Sequence, residues 1–243
     1  MTGLWRAVLA EAVGTAALLA VVVGSGIMAQ RLSPANAGVA LLANALATGL
    51  GLYVLITILG PVSRAHLNPV VTLAAVLNRE FASGRILPYV AAQVGGALAG
   101  VLLAHLMFDL PVWQPGSEVR TGAGQWLSEA VATTGLLVTI GGFTRHAPRQ
   151  VAAAVGAYIA AAYWFTASTS FANPAVTVAR AFTDTFTGIR PIDAPAFVAA
   201  QLLGMAIGLA LVRALFGRTL VEPISGATAA QFPAAPERSP DNS

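Results

Sequence analysis

The 243-residue chain is 56% hydrophobic and only 9% charged, where an ordinary soluble domain carries about 25% charged residues. Its formal charge of +3 combines thirteen basic residues, all arginine, with ten acids; scattered along the loops, the arginines form no stripe for nucleic acid. There is no cysteine, which excludes disulfides and thiolate chemistry.

Six apolar runs approach the roughly 20 residues that a helix needs to cross a bilayer. The first, Ala7–Met28, follows Arg6 and is longer than the core of a cleavable signal peptide, so it reads as a retained helix. The second is Val39–Leu59. Behind it, Asn68-Pro69 opens an apolar stretch, Pro69 to Asn78, too short to cross. The third run, Ile86–Met107, leads through a polar connection at 109–125 to the fourth, Trp126–Phe143. The fifth, Val151–Ser168, precedes a second short stretch from Pro174 to Thr183, again behind an asparagine, Asn173. The sixth is Ala194–Phe216. Residues 219–243, rich in Pro, Ala and Ser, read as a disordered cytoplasmic tail.

With a cytoplasmic N-terminus, the inside loops hold Arg6, Arg79, Arg85, Arg145, Arg149 and Arg218, and the outside loops Arg31, Arg120, Arg180 and Arg190. The excess falls on the side favoured by the positive-inside rule. Both termini are therefore expected in the cytoplasm, and the protein in the cell's inner (plasma) membrane.

The chain also repeats itself. Glu11-Ala-Val-Gly-Thr15 recurs as Glu129-Ala-Val-Ala-Thr133, Asn68-Pro-Val-Val-Thr72 as Asn173-Pro-Ala-Val-Thr177, and Gln93 as Gln201, at offsets of 118, 105 and 108. Matches in the same order at nearly constant offset imply two homologous three-span halves, 1–108 and 126–218, joined by 109–125. An odd number of spans per half inverts the second half in the membrane. The expected fold is an all-α membrane protein with six transmembrane helices, two re-entrant half-helices and an inverted repeat.

Proline suits the first position of a helix, and asparagine before it is a favoured cap. Ten residues from each proline cover about 15 Å, half of a roughly 30 Å hydrocarbon core. Two such half-helices, entering from opposite faces, would meet near the midplane. The loops ahead of them, 60–67 and 166–172, must then line water or be packed in protein. Both N-termini carry partial positive charge, which repels cations and protons. The asparagine amides offer donors, and the loop carbonyls acceptors, to a neutral hydroxyl-bearing molecule. The plainer reading of each Asn-Pro is a helix start and nothing more.

At these residues the sequence resembles the major intrinsic protein family, the aquaporins and aquaglyceroporins, over residues 6–216. The segment from His66 to Thr72 is similar to the family's first signature, with Val70 where alanine is usual. Ser170-Phe171-Ala172-Asn173-Pro174-Ala175 matches the second. The resemblance implies a homotetramer with one pore per subunit. It also implies that Glu11 and Glu129 are buried and hold the pore loops, supported by His66; a proton-coupling carboxylate is the other reading. It assigns the pore centre to Asn68, Pro69, Val70, Asn173, Pro174 and Ala175.

Departures from the family bear on selectivity. Val176 stands where most members have the arginine of the narrowest constriction. The partner positions fall on Thr48, Ala161 and Ser170, with Tyr163 replacing Ala161 if the preceding loop is two residues shorter. A ring of Thr48, Ala161, Ser170 and Val176 has no bulky aromatic and no fixed charge. Arg180, one turn beyond Val176, is expected at the outer end of the half-helix or paired with Asp184. Arg64, where the family usually has glycine, either faces the cytoplasmic vestibule or pairs with a carboxylate. The Val176 replacement resembles a bacterial aquaglyceroporin subset associated with arsenic resistance. The expected function is passive passage of water, glycerol-like polyols and neutral metalloid hydroxides such as arsenite and methylated arsenicals, with protons and cations excluded. A water-selective channel, a coupled secondary transporter and a pore-less structural member are the rivals. No cofactor or metal is expected, and no enzyme activity, since His66, His105 and His146 cluster neither with each other nor with acids.

Overall fold

The computed structural model describes residues 2–217, and the tail at 219–243 lies outside them. Eight α-helices follow in order: α1 Thr2–Leu32, α2 Ala37–Ser63, α3 Pro69–Leu77, α4 Ile86–Met107, α5 Ala123–His146, α6 Val151–Phe165, α7 Pro174–Arg180 and α8 Ala194–Phe216. Among the described residues there is no strand.

The exterior of the bundle is apolar, unlike that of a water-soluble protein. All four tryptophans, Trp5, Trp113, Trp126 and Trp164, are exposed, with a long series of exposed leucines, valines and isoleucines. The most buried side chains include Glu11, Gln93, Glu129 and Gln201, each at 0% exposure. An apolar exterior with polar groups drawn inside suits lipid as the surrounding solvent, and the tryptophans lie near helix ends or in the connection, where interfacial anchors belong.

Five helices are long and apolar enough to cross a bilayer by themselves. The sixth span, α6, has 15 residues, about 22 Å at 1.5 Å each. A 3-10 turn at Pro148–Gln150 precedes it and adds about 6 Å, which brings the segment close to the thickness of the hydrocarbon core. The helices α1 and α2 run several residues beyond their apolar cores, because nothing stops a helix there until a cap does. Asn36 supplies that stop for α2, accepting from Val39 N at 3.1 Å.

Lipid gives helices little hydrophobic reason to associate, so close packing of small residues does the work. On α4, a Cβ added at Gly96 or Gly100 would overlap the carbonyls of Ala12 or Ala16 on α1. On α8, a Cβ at Gly204 would overlap the Ala130 carbonyl of α5, and one at Gly208 would sit tightly, at 3.1 Å, against Thr134. These contacts are repeat-related, so each half holds a tight α1–α4 or α5–α8 pair. The halves join where α2 crosses α6, with Gly49 and Gly156 against each other's backbone carbonyls.

The half-helices α3 and α7 have nine and seven residues, shorter than the ten expected for each. Each is finished by the opposite half. Arg213 on α8 donates from Nε to Asn78 Oδ1 (3.0 Å) and from Nη2 to Leu77 O (2.7 Å), capping the end of α3. Beyond α7, Thr183 Oγ1 bonds to His105 Nε2 on α4 at 2.8 Å. Neither half is complete without the other.

Candidate functional site

The loops before α3 and α7 share one backbone. Arg64, Ala65 and Leu67 have φ of 72°, 45° and 49°, and Thr169, Ser170 and Ala172 have 62°, 52° and 47°. Each pair is separated by the repeat offset of 105. Left-handed backbone disfavours every side chain but glycine, by roughly 1–2 kcal/mol per residue, so such a run persists only where its surroundings dictate it.

Two buried carboxylates do so. Glu11 accepts four hydrogen bonds: Ser63 Oγ (2.7 Å) and His66 N (2.9 Å) on Oε1, Leu67 N (2.7 Å) and Gln93 Nε2 (2.7 Å) on Oε2. Glu129 repeats the set with Ser168 Oγ (2.6 Å), Phe171 N (2.8 Å), Ala172 N (2.9 Å) and Gln201 Nε2 (2.6 Å). Four donors per carboxylate satisfy a charge that would otherwise be prohibitive in this interior. The glutamines continue inward to Thr72 Oγ1 (3.0 Å) and Thr177 Oγ1 (2.8 Å). Ser63 and Ser168 each stand five residues before an Asn-Pro asparagine, a repeat match visible in the sequence and overlooked in reading it.

Pro69 and Pro174 open α3 and α7, with Asn68 and Asn173 as caps. Asn68 Oδ1 accepts from Val70 N at 2.9 Å, and Asn173 Oδ1 from Ala175 N at 3.0 Å and Val176 N at 3.4 Å. Val70 and Ala175 are fully buried. The amide nitrogens cross between halves: Asn68 Nδ2 donates to Ala172 O and Asn173 Nδ2 to Leu67 O, both at 2.8 Å. One hydrogen of each amide is thus used to tie the loops together, and one is left over. The spacing of the motifs could not reveal this reciprocal lock.

A cavity of about 340 Å³ runs past both asparagines and on to Arg64 and Arg149 on the opposite face from residues 109–122. Thr48, Ser170 and Val176 line it, and the hydroxyl of Ser170 is buried without a partner. Ala161 does not line it. That residue is exposed on the outside of α6, whereas Tyr163 is buried and places its hydroxyl 3.3 Å from Thr48 Oγ1. Two residues turn a helical side chain by about 200°, so the two positions cannot face the same way. Of the two expected positions, Tyr163 is therefore the one that faces the cavity and Ala161 faces away, so the wall carries an aromatic where the expected ring had none. His66 also lines the cavity, Nδ1 on Thr72 Oγ1 at 3.1 Å and Nε2 without a partner, its ring packed beside Phe81 and Tyr89.

Three arginines bear on the site. Arg64 occupies a left-handed position that suits the glycine usual there, lines the cavity, and donates from Nη1 to Glu80 O at 2.7 Å. Arg180 is the last residue of α7, at the outer end expected for it, and is buried rather than paired with Asp184, whose Oδ1 accepts from Ser117 N and Oγ. Arg120, in the connection, had no assigned role. The connection folds back over the bundle: Gly116 N bonds to Ala181 O at 3.0 Å and Arg190 N to Glu118 O at 2.9 Å. It thereby delivers the Arg120 guanidinium next to the second re-entrant loop, over the Phe171 ring.

The family profile described as "Major intrinsic protein" matches residues 1–147 and again 124–237. The chain is 54% identical over 228 residues to aquaglyceroporin AqpS of Rhizobium meliloti (strain 1021), covering 93% of this chain and 97% of that protein. It is 36% identical over 113 residues to aquaporin Z of Bradyrhizobium diazoefficiens, covering 46% and 45%. Its fold is similar to the X-ray structure of the aquaglyceroporin from Plasmodium falciparum, with a TM-score of 0.66 at 20% identity, over 86% of this chain and 95% of the other. With two inverted halves, two Asn-capped half-helices locked together and a cavity alongside them, this multi-pass membrane chain belongs to the major intrinsic protein family, a family of channels for small solutes.

Proposed function

We propose that the protein is a passive channel for small uncharged solutes larger than water, with Thr48, Tyr163, Ser170 and Val176 as its selective ring and Asn68 and Asn173 as its central donors. The observation that carries this reading is the division of the cavity wall. One strip is polar, made by Thr48 Oγ1, the Tyr163 hydroxyl, Ser170 and the two asparagines; an aliphatic part is made by Val176, Leu52, Val155, Ile159 and Leu136, and Arg64, His66, Thr144 and Arg149 are among the residues that line the remainder. A polyol such as glycerol, or neutral arsenous acid and its methylated forms, has hydroxyls for the polar strip. Carbon or methyl groups meet the aliphatic side without stranding a buried donor. A guanidinium at position 176 would narrow the ring and demand acceptors that a methyl group lacks.

Protons and cations are excluded in this reading by the partial positive charge of both half-helix N-termini, aimed at the asparagines. Glu11 and Glu129 hold the loops and do not carry protons, their lone pairs being occupied. The N-terminus faces the cytoplasm of the plasma membrane, and residues 109–122 face outward. The assembly is the homotetramer usual in the family, with one pore per subunit.

Stopped-flow light scattering on vesicles containing the purified protein tests the proposal. Glycerol and arsenous acid should equilibrate far faster than in protein-free vesicles, and Val176→Arg should abolish most of that while sparing water flux. Unchanged glycerol flux in Val176→Arg, or solute accumulation above equilibrium driven by a pH or sodium gradient, overturns it.

A further inference from the structure

On the face that carries residues 109–122, a recess of about 380 Å³ adjoins the cavity. Three separate segments place it one step further out. Asn44 precedes Thr48 by one turn of α2, Thr169 precedes Ser170, and Arg180 follows Val176 by one turn of α7. Arg120 and Arg180 both line the recess, and both guanidinium groups lie over the Phe171 ring, 5.2 and 3.4 Å from its centre.

Neither arginine forms an ion pair, in contrast to Arg190, which pairs with Asp193. Arg180 is 2% exposed, its Nε donates to Thr187 O, and its Nη1 has no partner. Arg120 donates from Nε to Gly188 O at 2.7 Å, but its terminal nitrogens reach Ser168 O and Phe186 O only at 3.4 and 3.5 Å. Those lengths exceed the usual N–H···O range of about 2.7–3.2 Å. Two adjacent cations, one of them buried with an orphaned donor, have no carboxylate in direct contact with either guanidinium and feel Glu118 and Glu129 only at a distance, a costly arrangement in a polypeptide interior. The acids of the recess, Glu118 and Asp184, are exposed, and Asp184 already accepts from Ser117.

We propose that Arg120 and Arg180 form a binding site for a small tetrahedral oxyanion of the phosphate class, immediately beyond Val176. Guanidinium forks match the spacing of oxyanion oxygens, and the anion supplies what the pair lacks. The two exposed acids offset the long-range pull of the arginines, so recognition rests on direct contact. The site takes a charged ligand and is read by binding alone, so it stands apart from which neutral solutes the channel conducts.

The probe is inorganic phosphate, added to the full chain in a maltoside detergent free of phospholipid. The unfolding temperature should stay level at low phosphate and then rise with the logarithm of its concentration above the dissociation constant, as for a ligand that binds only the folded state. Sodium chloride at matched ionic strength should not reproduce it. Arg120→Gln should raise the dissociation constant fitted to that curve at least tenfold, and Arg120→Lys, which keeps the charge but loses the fork, by less. The constant is fitted within each variant, so a general loss of stability does not imitate the result. A response equal to that of chloride overturns the proposal, as does an unchanged dissociation constant in Arg120→Gln. A response to vesicles containing phosphatidate, with none to inorganic phosphate, assigns the pair to a lipid headgroup and overturns the free-ion site.

Discussion

Replacing Glu129 by glutamine tests the claim that a buried carboxylate imposes the left-handed loop. The wild-type side chain faces four donors, two on each oxygen. Glutamine keeps the shape but turns one oxygen into an NH2 group, so two donors lose their acceptor and two amide hydrogens meet them head on. At about 1–3 kcal/mol for each orphaned buried donor, the cost is about 2–6 kcal/mol. For a chain of this size each kcal/mol lowers the unfolding temperature by about 2–4 °C, so a fall of about 4 °C is the smallest expected. Fluorescence-monitored unfolding in detergent reads the loss, and glycerol flux in vesicles reads the displaced loop. Glu11→Gln should match it, because its four donors are the repeat equivalents. Ser168→Ala removes one donor to the carboxylate and the acceptor of Ser170 N but leaves the carboxylate intact, a smaller cost of about 1–3 kcal/mol. Wild-type unfolding temperature and full flux in Glu129→Gln would refute the reasoning. A proton-coupling carboxylate predicts a different pattern, near-normal stability with flux that responds to a pH gradient.

Other outcomes follow from the same geometry. Ala161→Phe should leave solute flux unchanged because the side chain points outward, while Tyr163→Ala should raise glycerol flux several-fold relative to water; the same vesicle assay reads both. Asn68→Asp replaces the Nδ2 that donates to Ala172 O with an oxygen, so the cross-loop bond is lost and a negative charge enters the path; cation conductance in planar bilayers should appear where wild type has none. Gly100→Val drives a side chain into the Ala16 carbonyl and should abolish recovery of folded protein, whereas Gly95→Val, with open space around it, should purify normally. The Arg190 guanidinium beside Asp193 holds that carboxyl below its ordinary value of 3.8. A carboxyl with a depressed folded value stabilises above its ordinary value and loses that contribution as pH falls through the folded one. Asp193→Asn should therefore lower stability at neutral pH and remove this part of the acid sensitivity, as read by unfolding midpoints between neutral and strongly acid pH.

Much of this architecture is written in short-range features. Apolar length marks the spans, Asn68-Pro69 and Asn173-Pro174 begin helices by local capping, and the ordered return of Glu, Asn-Pro and Gln reveals two halves, because each signal depends only on neighbours along the chain. What depended on tertiary structure is of another kind. Whether Ala161 or Tyr163 faces inward depends on the rotation of α6 about its axis, set by Gly156 packed against Gly49. The bonds from Asn68 to Ala172 and from Asn173 to Leu67 join residues more than a hundred positions apart, and exist only because two half-helices from opposite faces meet. Arg120 reaches the second loop because the connection doubles back over the bundle, a path that its own composition does not encode. Local pattern specifies which helices form; the side chains that share a cavity are chosen by how those helices turn and cross once the backbone carbonyls have come into contact.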